Sequence, residues 1–155
     1  MSTPATAALT RLGLPFRTHS YDHDPATDSY GQEAAAVTGV AAERIFKTLL
    51  VDTGAALAVG VVPVSGSLDL KAIATALGVK KVIMADPAAA QRSTGYVVGG
   101  ISPVGQRKPL PTVIDESALG FESVFVSGGR RGFEIELAPT DLAAATDGRF
   151  AAIGR

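Results

Sequence analysis

The sequence predicts an α+β fold built around a mixed, curved sheet. Short apolar segments typical of strands are interrupted by single helices, without the regular strand and helix alternation that builds a parallel sheet. The chain has 155 residues, of which 46% are hydrophobic and 19% are charged, a composition typical of a folded protein. We therefore expect one domain, residues 1–155, without a disordered linker.

Caps and glycine stops predict two helices in the first third of the chain. Thr3 caps the first helix, which Gly13 ends, and Ser29 caps the second, which Gly39 ends. Residues 16–21 between the helices are typical of an extended segment, and a polar turn follows them.

Two strands joined by a hairpin turn come next. Residues 41–44 add a helical turn, after which the apolar segments 45–51 and 56–64 predict strands. Asp-Thr-Gly at 52–54 is typical of a tight turn. These two strands should therefore pair antiparallel.

The rest of the chain mixes short helices and strands. Ser67 caps a helix that has apolar residues at helical spacing and ends at Gly78, and Asp86 caps a small helix over 87–92. The remaining predicted elements are strands at 82–85, 112–114, 123–127 and 133–137 and a terminal helix at 141–146.

A glycine-rich bend at 95–105 is the first candidate functional segment. It contains a Gly-x-x-x-Pro unit at 99–103, in which glycine lets backbone N–H groups approach a ligand and proline stiffens the bend. A second glycine turn is predicted at 127–132. Together with a lysine upstream, these turns predict a pocket for an anion or a carbonyl group.

Lys47 is that lysine, and it lies within an apolar strand. A buried ammonium is costly unless it meets an anion or loses its proton, so Lys47 needs a partner. One alternative is structural, either an inward charge at a sheet edge or an ion pair with an internal carboxylate. The other is a receptor for a phosphate or an ester carbonyl.

The polar residues of the chain argue against several kinds of catalytic centre. There is no cysteine, so a cysteine nucleophile and thiolate zinc ligands from the protein are excluded. There are only two histidines, so a metal site at His19, Tyr21 and His23 is disfavoured. Ser102 and Ser127 lie in or beside glycine turns but not in the elbow of a serine hydrolase, and turn serines commonly bond local backbone. We expect neither a metal nor a cofactor.

The charge distribution bears on partners and location. A net charge of −1 argues against generic nucleic-acid coating, yet residues 71–131 carry eight basic and four acidic residues, a net +4. One face could therefore meet a polyanion, and a mixed, solvated surface is the alternative. No apolar segment is long enough to span a membrane and no secretory signal is recognisable, so we expect a cytoplasmic protein.

Several motifs resemble the YbaK/EbsC family. They occur in order at 46–49 (FKTL), 79–81 with 84–86 (VKK, MAD), 94–103 (TGYVVGGISP) and 126–132 (VSGGRRG), and residues 19–25 (HSYDHDP) are similar to its bacterial YbaK branch. The resemblance covers nearly the whole chain. It implies the fold of the prolyl-tRNA synthetase editing domain, a largely antiparallel and partly barrel-like sheet surrounded by several helices.

The resemblance also implies an activity, the hydrolysis of the ester of mischarged Cys-tRNA(Pro) by a freestanding aminoacyl-tRNA deacylase. Such editing compensates for weak discrimination between side chains of similar volume. In this branch the substrate thiol is thought to attack its own ester, which could yield a cyclised product. The implied partners are the 3′ aminoacyl end of tRNA and, for tRNA selectivity, prolyl-tRNA synthetase. The open alternatives are Ala-tRNA(Pro), another mischarged tRNA, or a module that binds a nucleotide or tRNA end without turnover.

Particular residues acquire roles from the same resemblance. Lys47 would hold the terminal adenosine or its phosphate, and the loop at 99–103 would offer N–H groups to the aminoacyl end. The implied catalytic residues are Lys47, Gly99, Gly100 and Ser102. The implied substrate-binding residues are Tyr21, Tyr30, Thr48, Ile101, Pro103, Ser127 and Gly128.

Overall fold

The computed structural model describes residues 2–155 and has the predicted α+β character. Its helices are α1 (Pro4–Leu12), α2 (Tyr30–Thr38), α3 (Leu70–Leu77), α4 (Pro87–Thr94) and α5 (Pro139–Thr146). Its strands are β1 (Arg17–Ser20), β2 (Phe46–Asp52), β3 (Leu57–Pro63), β4 (Ile83–Met84), β5 (Thr112–Asp115), β6 (Val124–Arg130), β7 (Phe133–Leu137) and β8 (Arg149–Ala151). Short 3-10 turns cover Ala42–Arg44 and Glu116–Gly120.

The strands form two sheets rather than the single sheet predicted. One has the order β1-β7-β6 and is antiparallel throughout, and the other has the order β4-β2-β3-β5-β8. In the second sheet β2 is antiparallel to β3, as predicted, and also to β4, whereas β5 is parallel to β3 and to β8. The mixed and largely antiparallel pairing is therefore confirmed. An isolated parallel bridge between Ile45 and Phe125 joins the two sheets.

Most helix ends follow the caps in the sequence, although Ser29 stands at the N-cap position of α2 without a capping hydrogen bond from its side chain. Thr3 forms a capping box at the start of α1, as expected. The predicted cap of α3, Ser67, is wrong, because the carboxylate of Asp69 accepts the N–H of Ala72 at 3.1 Å and the helix begins later. The backbone of Ser67 instead pairs in both directions with that of Arg155, at 2.9 Å.

The predicted glycine turn at 127–132 is mostly strand. β6 continues through Gly128 to Arg130, with an irregularity in its pairing after Ser127, and only the last residues turn. A side chain at Gly128 would collide with the ring of Phe133, so glycine serves close packing at this position. The strand β8 was not predicted, since its three residues carry no strand pattern of their own.

Three buried clusters hold the layers together. The largest lies between the sheets and the helices α1 and α5, and it contains Leu9, Phe46, Val61, Ile135 and Leu142. A second packs α3 against the five-stranded sheet, and a third attaches α2 to the bridge between the sheets. No helix among residues 2–155 is both long and apolar enough to cross a membrane.

Asp115 pins the last described residues to the end of β5. Its side chain accepts the N–H groups of Ile153 at 3.0 Å, Gly154 at 2.8 Å and Ser117 at 3.2 Å, and the residue is 7% exposed. Burial by itself would raise the pKa of Asp115, but these hydrogen bonds outweigh it and the pKa is lowered. The carboxylate is therefore ionised at neutral pH and stabilises the fold.

Asp115→Ala is expected to lower the free energy of unfolding by about 2 to 4 kcal/mol, because several backbone N–H groups lose their acceptor. Urea denaturation at pH 7 measures the change. Asp52→Ala is the control, since Asp52 accepts only the N–H of Gly54 in an exposed turn and should cost less than about 1 kcal/mol. Equal losses in the two variants would contradict the role assigned to Asp115.

Candidate active site

A cavity of about 420 Å³ opens where the two sheets meet α2 and the glycine-rich loop. Its wall combines four parts of the chain: the segment entering α2, strand β2, the α4 helix with the loop after it, and the polar face of the three-stranded sheet. The lining residues include Tyr21, Tyr30, Lys47, Thr48, Val98, Gly99, Ile101, Ser127 and Glu134. A volume of this size suits a small ligand or the end of a larger one.

The structure brings most of the predicted site residues to this cavity. Those that line it are Tyr21, Tyr30, Lys47, Thr48, Gly99, Ile101 and Ser127. Four others do not line it, namely Gly100, Ser102, Pro103 and Gly128. Segments that are remote in sequence thus form one wall.

The residues away from the cavity have local contacts that explain them. Gly100 donates its N–H to Val97 at 2.9 Å, and a Cβ at this position would lie 2.7 Å from the Cα of Arg130. Ser102 is fully buried, and its hydroxyl accepts the N–H of Val104 at 3.2 Å. Pro103 is buried in the same turn, and Gly128 packs against an aromatic ring. Each of these four residues therefore has a local structural contact, and their substrate contacts stay a prediction.

Lys47 lines the cavity and has no ion-pair partner among residues 2–155. It lies on β2 opposite Val62 and is partly buried. The ion pairs of residues 2–155 are His19 with Glu136, His23 with Glu33, and Arg44 with Glu136, so none involves Lys47. The ion-pair alternative for Lys47 is therefore not realised among these residues. Its ammonium can bind an anion or donate a hydrogen bond to a carbonyl oxygen.

The hydroxyl of Thr48 is a second unpaired polar group in the wall. Its Oγ1 is buried and has no hydrogen-bond partner among the described residues. Such an atom costs roughly 1 to 3 kcal/mol of stability unless a ligand or a water molecule satisfies it. Thr48 and Lys47 both line the cavity, but as consecutive residues of β2 their side chains project to opposite faces of the strand.

Glu134 is the main site residue that the sequence analysis missed. It is 7% exposed, lines the cavity, and pairs across the sheet with His19 and Ser127. No hydrogen bond or ion pair of its side chain is present among residues 2–155. Burial raises the pKa of Glu134 to about 8, so the carboxyl is mostly neutral at pH 7.

The local sequence explains why Glu134 was missed. Strand β7 alternates apolar and acidic residues, with Glu134 and Glu136 on one face. This pattern is typical of a strand with one face in water, and only the cover provided by α2 and β2 turns the position of Glu134 into a cavity wall. A buried acid in an alternating strand leaves no local signal.

Tyr21 lies near Glu134 and is a hydrogen-bond donor at neutral pH. Burial, with smaller contributions from the charges of Glu134 and Glu33, raises the pKa of Tyr21 to about 12. Tyr96, by contrast, is a core residue. It is 4% exposed and donates its hydroxyl to the carbonyl of Val104 at 2.7 Å.

The two histidines are engaged by carboxylates. His19 Nε2 lies 3.0 Å from Glu136 and His23 Nδ1 lies 2.6 Å from Glu33. Neither histidine lines the cavity, and no group of three or more potential ligands within residues 2–155 could hold a metal ion. The described cavity wall thus has polar groups for binding and polarisation but no histidine to act as a base.

The turn at 97–100 sets the shape of the glycine-rich loop beside the cavity. The hydrogen bond from Gly100 to Val97 closes it, and Gly99 has a φ of +89°, the value that the third residue of a type II turn requires. Gly99 is also in close contact with Tyr30, because a Cβ at this position would lie 2.8 Å from that ring. The Gly99 N–H has no acceptor among the described residues.

Comparison with known proteins adds three findings. The aminoacyl-tRNA editing domain family matches residues 24–145. EbsC of Enterococcus faecalis, for which a Cys-tRNA(Pro)/Cys-tRNA(Cys) deacylase activity has been proposed, is 40% identical over 153 residues, covering 97% of this chain and 92% of EbsC. Two crystal structures share the fold. One is of a proposed trans-editing enzyme for prolyl-tRNA synthetase (TM-score 0.84, 27% identity, 100% of this chain and 99% of that one). The other is of the hypothetical protein APE2540 (TM-score 0.88, 28% identity, 99% of this chain and 100% of that one).

Glu134→Gln is expected to stabilise the protein increasingly as the pH rises from 4.5 to about 8. In that window the unfolded chain releases the Glu134 proton while the folded protein keeps it, so the wild type loses stability. The variant lacks this loss and should gain about 3 to 5 kcal/mol at pH 8, with little difference at pH 4. Urea denaturation across this pH range measures the difference.

Glu136→Gln is the matched control on the same face of β7. The pKa of Glu136 is lowered by hydrogen bonds from Ser123 and His19 and by the charge of Arg44. Together these effects outweigh burial, which would raise the pKa. The stabilisation from Glu136 is present above pH 4.5 and is lost as the pH falls through the lowered pKa. This variant should therefore be less stable than the wild type at pH 8. The same sign in both variants would overturn the assignment of a neutral Glu134.

Proposed function

The chain belongs to the aminoacyl-tRNA editing domain family, and we propose that it is a trans-editing deacylase that hydrolyses the ester bond of mischarged Cys-tRNA(Pro). The observation that carries this proposal is the composition of the cavity wall. It combines an unpartnered ammonium, an unpaired hydroxyl and a backbone N–H without an acceptor, but it has no histidine beside Ser127. This arrangement favours a substrate that brings its own nucleophile.

The thiol of a cysteinyl ester can serve as that nucleophile. Its sulfur attacks the ester carbonyl carbon, a C–S bond forms, and the C–O bond to the ribose breaks. The thiol proton passes to the ribose oxygen, which leaves as the terminal hydroxyl of the tRNA. The cyclic thioester then reacts with water to give cysteine, so the net reaction is hydrolysis.

The protein contributes positioning and electrostatic stabilisation to this reaction. Lys47 and the Gly99 N–H stabilise the oxyanion that develops on the ester carbonyl, and a single such donor can contribute about 100-fold to the rate. Thr48 and Tyr21 offer hydroxyl groups that orient the aminoacyl end. Holding the thiol against the carbonyl supplies the proximity that a dilute thiol lacks.

A neutral Glu134 suits this substrate. A tRNA end carries phosphate groups and develops an oxyanion during the reaction, and an ionised carboxylate in the wall would repel both. Because burial raises the pKa of Glu134 to about 8, this carboxyl adds little negative charge to the cavity at neutral pH, and Asp28 is the other carboxyl residue of the wall. The neutral Glu134 carboxyl can then donate a hydrogen bond.

Prolyl-tRNA synthetase remains the proposed source of tRNA selectivity. The excess of basic residues is confined to 71–131, and the whole chain has a net charge of −1. Phosphate contacts dominate the affinity of a protein for RNA, so a small domain with this charge should bind tRNA weakly alone. A partner that holds the same tRNA would compensate.

Purified protein is expected to release labelled cysteine rapidly from Cys-tRNA(Pro) in the presence of a metal chelator, and to leave Ala-tRNA(Pro) and Pro-tRNA(Pro) intact. Only the cysteinyl ester carries a thiol for self-attack. Acid precipitation of the remaining aminoacyl-tRNA measures the reaction. Rapid release of alanine would sink the thiol-assisted mechanism, and no release from any substrate, with the synthetase added, would favour a binding module.

Lys47→Ala is expected to lower kcat/KM for Cys-tRNA(Pro) by about 100-fold with the fold retained, because the ammonium that faces the ester is lost. Steady-state deacylation and circular dichroism measure the two effects. Lys71→Ala, at an exposed position on α3 away from the cavity, is the control and should match the wild type. An unfolded Lys47→Ala protein would instead support a structural lysine.

A further inference from the structure

Arg131 contacts two segments of the cavity wall but does not line the cavity itself. This residue follows β6 in the turn to β7. Its Nε and Nη2 donate to the carbonyl of Val98 at 2.9 and 2.7 Å. Its guanidinium lies over the ring of Tyr30, 4.9 Å from the ring centre. One side chain thus contacts the start of α2 and the glycine-rich loop together.

The carbonyl that Arg131 holds belongs to a peptide with two stable orientations. The Val98–Gly99 peptide is the central unit of the turn at 97–100, and types I and II of such a turn differ mainly by a flip of this unit. The φ of +89° at Gly99 corresponds to type II. Two hydrogen bonds from one guanidinium to the Val98 oxygen favour the orientation in which that oxygen faces Arg131.

The orientation of this carbonyl determines where the Gly99 N–H points. In a trans peptide the C=O and N–H bonds lie in one plane and point in opposite directions, and no cis peptide is present among the described residues. Val98 and Gly99 line the cavity, whereas Arg131 does not. The N–H opposite the held carbonyl is therefore turned away from Arg131.

We propose that Arg131 is a positioning residue, which holds the Val98–Gly99 peptide in the orientation that presents the Gly99 N–H to the ester carbonyl of the substrate. This inference rests on the proposed deacylase function for its catalytic consequence. The contacts of Arg131 with Val98 and Tyr30 carry the positioning itself.

Arg131→Ala is expected to lower kcat for Cys-tRNA(Pro) by about 10- to 100-fold and to change KM by less than about threefold, because the lost interaction acts on the developing oxyanion. Millimolar guanidinium, but not ammonium, should restore part of kcat by occupying the vacated site. Arg131→Lys should lie between the wild type and Arg131→Ala, since it retains the charge but not the planar, two-pronged donor.

Arg130→Ala is the matched control. The guanidinium of Arg130 lies over Phe133, 5.2 Å from the ring centre, and makes no contact with Val98. Its kcat should stay within about twofold of the wild type. Equal losses in Arg130→Ala and Arg131→Ala, or a rise in KM without a change in kcat for Arg131→Ala, would overturn the inference.

The amide signal of Gly99 gives a readout that does not depend on activity. In a ¹⁵N-glycine-labelled sample, this signal should shift or broaden in Arg131→Ala and remain unchanged in Arg130→Ala. An unchanged Gly99 signal in Arg131→Ala overturns the positioning role, whatever the activity. A wild-type protein that is inactive on every mischarged tRNA would instead refute the deacylase function, while the amide signal still decides the role of Arg131.

Discussion

The site depends on how the two sheets meet. They are joined by the backbone bridge between Ile45 and Phe125, and the side chains of both residues are buried with Ala34 of α2 and Val64. The bridge places the start of β2 beside β6, and the cavity lies next to this junction, while the largest buried cluster fills the space between the sheets elsewhere. The first residues of β2, including Lys47 and Thr48, begin at that junction.

The cavity wall is costly to the free protein. An unpaired hydroxyl on Thr48, a carboxyl in an apolar setting on Glu134 and an unpartnered ammonium on Lys47 are all features that a protein selected only for stability would lack. The three buried clusters offset this cost elsewhere. Unsatisfied groups held by a rigid frame are the usual sign of a site prepared for charge that its ligand brings.

Local signals in the sequence were enough to predict most helices and strands and some of the residues that line the cavity. Thr3, Gly13 and Gly39 act on their own helix ends, so these ends were predictable, and the resemblance pointed to Lys47, Thr48 and Tyr21 through short motifs. What failed depends on distant parts of the chain. Glu134 looks like a solvent-facing residue until α2 covers it, Gly128 is explained only by Phe133, and β8 becomes a strand only beside β5.

The pairing of β1 with β7 determines when the cavity can form during synthesis of the chain. Residues 17–20 of β1 can pair only after residues 133–136 of β7 have been synthesised. Ser127 and Glu134, which line the cavity, also lie in this last third of the chain. Contacts so remote in sequence form slowly and late on the ribosome. The cavity therefore cannot be complete until the last third of the chain has been synthesised.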